Sequence, residues 1–94
     1  MEQLEDISVD VFRTAQVTRE LSDKTYKAMV ERGILGQFMS STYPDFFIQD
    51  ELRLHKVAGY RALIKAGFQS DEISMSFDVS GRHLIFKALK KDAK

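Results

Sequence analysis

Apolar positions along the chain recur mostly at spacings of three and four residues, a rhythm that predicts helices. Phe12, Ala15 and Arg19, with Val11 and Leu21 beside them, suggest a first helix over residues 11 to 21, capped by Ser8 or Asp10. Ser22 or Asp23 then opens a second, over residues 23 to 32, with Tyr26, Met29 and Val30 on its apolar face. Gly33 follows, where a left-handed C-cap costs glycine least. Between residues 35 and 48 the pattern turns to aromatic, β-branched and turn residues around Pro44 and Asp45, as in a short hairpin. A third helix is expected over residues 50 to 66. Asp50 is its cap, Leu54, Val57, Tyr60, Leu63 and Ile64 form its stripe, and Gly67 is its stop.

Leu54, Val57, Tyr60 and Leu63 are expected to be buried with Phe12, Met29 and Val30. Ser70, Asp71 and Glu72 suggest a further helical turn, and residues 78 to 81 a tight turn. The apolar run Leu84, Ile85, Phe86, Ala88, Leu89 fits a buried strand or a terminal helix equally well.

With 94 residues and 44% hydrophobic content, the chain suits a single globular domain. No apolar run approaches the ~20 residues of a membrane-spanning helix. Cysteine is absent, which rules out disulfides and thiolate zinc sites, and the acidic N-terminus (Glu2, Glu5, Asp6) lacks the layout of a signal peptide. A cytoplasmic protein is expected. The formal net charge is zero, so any affinity for nucleic acid must come from local patches. Residues 53 to 65 supply one, with Arg53, Lys56, Arg61 and Lys65 and no acid, and the tail from Arg82 onward is basic as well.

Two segments resemble the DNA-binding domain of the MerR family of regulators, with excisionase-like variants included. The first is TYKAMVERGIL, residues 25 to 35, similar to the family's second helix and its lead into the wing. The second is residues 54 to 73, ending AGFQSDEI, similar to the post-wing helix, its Gly-Phe turn and the acidic helical turn after it. The resemblance implies a mainly α fold with a small β-hairpin, a winged helix-turn-helix over residues 12 to 73, and residues 74 to 94 as a C-terminal extension of the same domain. It further implies double-stranded DNA as partner. Lys24, Thr25, Lys27 and Arg32 would read or hold the DNA from the second helix, with Arg13 and Arg19 supporting from the first. A dimer surface is expected at residues 82 to 90.

The wing departs from the family in having no Lys or Arg between Arg32 and Arg53 while carrying Asp45, Asp50 and Glu51. Its aromatic residues Phe38, Tyr43, Phe46 and Phe47 exceed what a short hairpin can hide, and they suggest a protein-contact patch. The rival expectation is therefore an interaction module, or an anti-regulator, that keeps the winged-helix shape without binding DNA. His55 and His83 stand far apart with no paired acid at ligand spacing, so neither a metal nor any other cofactor is expected, and both read as surface residues. No nucleophile with a partnered base and no phosphate-cradling loop appears, which points away from an enzyme.

Overall fold

Residues 14 to 20 alternate between two environments. Ala15 and Val17 are buried, while Thr14 is exposed and Gln16 and Thr18 are half-buried. That period of two, with β-branched Thr14, Val17 and Thr18, is the signature of a strand packed on one face. In the computed structural model, which describes residues 7–9, 14–38 and 46–90, the stretch is accordingly a strand.

The elements run β1 (Ile7–Val9), β2 (Thr14–Glu20), α1 (Asp23–Glu31), α2 (Phe46–Lys65), a 3-10 turn at Ser70–Glu72, β3 (Ile73–Phe77) and β4 (His83–Leu89). The strands form one antiparallel sheet in the order β1-β2-β4-β3. The last strand in sequence thus lies inside the sheet, Val17 facing Phe86 on one side of it and Met75 facing Phe86 on the other. α2 packs on β2, β3 and β4, and α1 packs on α2. The core between sheet and helices is built from Val17, Leu21, Met29, Ile48, Leu63, Leu84 and Phe86.

This is a two-layer α+β fold. It replaces the mainly α winged helix-turn-helix implied by the resemblance. The expected helix over residues 11 to 21 is β2 from Thr14 onward, because an extended chain buries Ala15, Val17 and Leu21 on one side, whereas a helix would turn Ala15 away from the other two. The supposed C-terminal extension contributes β3 and β4, and residues 83 to 89 take the strand alternative. Residues 39 to 45 lie outside the described residues. At the flanks of the expected wing, residues 35 to 38 form no strand, and Phe46, Phe47 and Ile48 open α2, so the helix begins before Asp50.

Local signals were kept. Ser22 caps α1, its hydroxyl accepting from the Thr25 N–H at 3.2 Å. Both helices end in Schellman motifs on a left-handed glycine. The Ile34 N–H reaches Met29 O and the Gly33 N–H reaches Val30 O, and the Phe68 N–H reaches Leu63 O and the Gly67 N–H reaches Ile64 O.

One position sets how closely α2 sits on the sheet. A Cβ on Gly59 would lie 2.5 Å from Phe86 Cδ1, so only glycine lets the helix backbone rest on the buried ring. Tyr60 then meets the same ring edge-on at 6.0 Å.

Candidate functional site

Two features of α2 stand out once its inner face is fixed by Ile48, Gly59 and Leu63. The first is a polar network where α2 passes the start of α1. Glu51 Oε2 accepts from the Ser22 N–H at 2.7 Å, and Oε1 accepts from Ser22 Oγ and Thr25 Oγ1, both at 2.6 Å. His55, one turn on, adds a contact from Nε2 to Oε2 at 3.0 Å, and its Nδ1 accepts from Arg19 Nε at 3.2 Å. The Arg19 donor leaves Nδ1 as acceptor, so His55 carries its proton on Nε2 and donates to Glu51.

Burial alone would raise the Glu51 pKa. The hydrogen bonds from Ser22 Oγ, Thr25 Oγ1, the Ser22 backbone and His55 outweigh it and bring the carboxyl from 4.5 down to about 2. A carboxylate ionised at neutral pH therefore sits at the N-terminus of α1, where the helix dipole favours negative charge.

Ser, Glu and His in contact are the ingredients of a hydrolytic triad, but the order is wrong. Ser22 Oγ bonds the carboxylate rather than the imidazole, and the basic nitrogen of His55 is occupied by Arg19. The imidazole does not reach the hydroxyl, and the Glu51 carboxylate that does is a weak base, so the hydrogen bonds serve to tie α1 to α2.

A cleft of 430 Å³ beside it is lined by Thr18, Arg19, Glu20, His55 and His83. His83 is itself held by the loop before β4. Asp78 accepts from the His83 N–H, from Nδ1 of its ring at 2.8 Å and from Ser80 Oγ. Burial pushes the Asp78 pKa up, but these donors and the neighbouring imidazole together outweigh it and lower the value from 3.8 to about 2.

The second feature is the outward face of α2. Leu54 is 63% exposed, and Val57 and Ile64 are each 49% exposed. Leu54 and Val57 were expected in the core, and Ile64 on the same apolar stripe. They lie instead opposite Gly59 and Leu63, because α2 carries two apolar rows and the sheet accepts only one. Phe46, 71% exposed, continues the open row at the helix start, and Arg53, Lys56, Arg61 and Lys65 are also on exposed positions.

The residues assigned to DNA scatter by comparison. Thr25 is buried, with its hydroxyl committed to Glu51, and Arg19 is partly buried against His55. Lys24 and Lys27 are exposed, the Lys24 ammonium lying 4.5 Å from the centre of the Phe47 ring. Arg32 folds back on its own helix, Nη1 donating to Ala28 O. Arg13 lies outside the described residues.

Of the aromatic group, Phe38 lies tilted against Phe77 with ring centres 4.6 Å apart, Phe47 packs at the edge of the core, Phe46 is open, and Tyr43 lies outside the described residues. Val30, expected in the core, is half exposed. Glu51 was not singled out by sequence. Its i, i+4 spacing to His55 was the visible signal, but Ser22 and Thr25 lie 29 and 26 residues away.

Among the described residues no group of three or more His, Asp or Glu is placed to hold a metal, and no helix is long and apolar enough to cross a membrane. No family model, curated protein or solved structure matches the chain.

Proposed function

We propose that this protein is a non-enzymatic interaction module that captures a partner protein on the outward face of α2, and that it works in the cytoplasm, as its cysteine-free composition suggests. The observation that carries the reading is the shared exposure of Leu54, Val57 and Ile64 on a helix whose opposite face is already committed to the core. Single exposed apolar residues are ordinary. A row of them along the longest helix is an unburied surface. Covering the open half of each side chain would supply about 1 kcal/mol apiece.

The competing reading, double-stranded DNA held by Lys24, Lys27 and Arg32, has the exposure of Lys24 and Lys27 in its favour. Electrostatics works against it. The Ser22 N–H and the Thr25 hydroxyl at the start of α1 are spent on the Glu51 carboxylate, and Asp23 and Glu31 lie on the same short helix.

Photo-crosslinking in the producing cell separates the two. A photoreactive amino acid at Val57 should yield a protein adduct, whereas the same group at Val79, which is fully exposed in the turn before β4, should not. Adducts at both positions or at neither, or retention of duplex DNA that is lost on changing Lys24 and Lys27 to Glu, would overturn the docking reading.

A further inference from the structure

Docking on α2 leaves the chemistry of the partner open, and the charges along the helix narrow it. From Leu52 to Ser70 the sequence holds no Asp or Glu, while Arg53, Lys56, Arg61 and Lys65 all occupy exposed positions. Arg53 is paired with Asp50 at 2.8 Å, and the Lys56 ammonium lies 5.9 Å from the Tyr60 ring centre. Arg61 and Lys65 take part in no ion pair among the described residues.

Arg61 falls four residues after Val57 and three before Ile64, so it stands within the apolar row. Leu54 and Arg61 form one column seven residues apart, and Val57 and Ile64 form the neighbouring one. We propose that the partner is an amphipathic α-helix that lays an apolar row over Leu54, Val57 and Ile64 and presents carboxylates to Arg61 and Lys65. The proposal rests on the docking reading above.

The same geometry disfavours the other occupants. A second copy packed antiparallel about Val57 would set Arg53 against Arg61, with only Asp50, already paired to Arg53, to relieve them. A lipid surface suits bases at the borders of an apolar face, from which they can reach back to water, whereas Arg61 would be pushed in with its neighbours. Nucleic acid offers nothing to cover Leu54 and Ile64. A carboxylate on an apolar helix can take the planar guanidinium in two parallel hydrogen bonds while its neighbours cover the row. α2, at 20 residues, spans roughly 30 Å, enough for several turns of ridge-to-groove contact.

The test is selection from a displayed library of random helix-forming peptides on the purified full chain, followed by titration of a synthetic winning peptide. Enriched sequences should carry Leu, Ile or Phe at i, i+3 or i+4 and i+7, with Glu or Asp beside them. The winning peptide should lose about tenfold or more on R61E/K65E and on L54Q/V57Q, with melting temperatures unchanged. Repeating the selection on R61E/K65E should return basic peptides, a reversal that a merely structural role for Arg61 would not produce.

Neutral or basic winners from the unaltered chain that still fail on L54Q/V57Q would overturn the acidic partner and leave the docking face standing. Self-association abolished by V57Q would do the same in favour of a second copy. Winners indifferent to both variant pairs, no enrichment at all, or binding only to phosphatidylserine vesicles or duplex DNA would overturn both readings.

Discussion

A methyl group at position 59 would meet Phe86 Cδ1, Cγ and Cε1 at 2.5 to 2.7 Å, and the ring is fully buried, so it has no room to retreat. Helix propensity favours alanine over glycine by about 1 kcal/mol, while overpacking a core costs roughly 1 to 3 kcal/mol, and here the clash wins. Gly59→Ala is therefore expected to destabilise the protein in urea unfolding, and Phe86→Leu should recover part of the loss in the double variant.

Glu51 is the other residue whose neighbours decide its behaviour. Its folded pKa of about 2 lies below the ordinary 4.5, so the stabilisation it provides is complete above 4.5 and is lost as pH falls through 2. With its partial exposure discounted, the contribution at neutral pH is about 2 kcal/mol. The melting temperature should fall between those pH values, and Glu51→Gln should lower it at pH 7 and flatten that fall. An acid-insensitive wild type would remove the lock between α1 and α2.

At the scale of elements, α1 and α2 were legible because what starts and stops them is local. Ser22, Gly33 and Gly67 act on backbone groups within a few residues of themselves. The two segments that resemble the MerR family both contain a helix, a left-handed glycine and a buried apolar residue, Ile34 or Phe68. That is the hydrophobic Schellman end that helices of many folds use, so two such segments can resemble a family whose architecture the chain does not share.

β2 was misread because Phe12, Ala15 and Arg19 recur at helical spacing while Ala15, Val17 and Leu21 recur at strand spacing, and residues 82 to 90 could not be assigned because a short apolar run suits either element. α2 itself has two apolar rows, and their contrast is measurable. Leu63→Ala should cost about 2 to 5 kcal/mol in denaturant, whereas Leu54→Ala should cost less than about 0.5 kcal/mol. Equal losses would mean that the outward row is packed rather than open.

Across the whole molecule, β4 carries the fold. It pairs with β2 along its full length and with β3 from Leu84 to Ala88, and it supplies Leu84, Phe86 and Ala88 to the core. Arg82, just before it, ties this strand back to the start of α1. Its backbone O accepts from the Leu21 N–H, its Nε donates to Leu21 O, and its guanidinium bonds Asp23 and lies 4.8 Å from the Tyr26 ring centre. Ending the chain after Ser80 should therefore abolish cooperative unfolding and expose the core to dye. A folded truncated chain with the native near-ultraviolet spectrum would restore residues 74 to 94 to the status of an extension. In hydrogen exchange the β4 amides should be among the slowest, since both edges of the strand are bonded.

The sequence by itself determined the helix ends at Ser22, Gly33 and Gly67, the turn over residues 78 to 81, the 3-10 turn at Ser70–Glu72 and the basic run along α2, because each depends on neighbours a few residues away. Tertiary structure alone decided three further matters: that Thr14–Glu20 is a strand, that Glu51 finds Ser22 and Thr25, and that Leu63 faces in while Leu54 faces out. Each of these depends on partners some 10 to 70 residues distant, and a residue's own side chain carries no record of which distant surface will cover it.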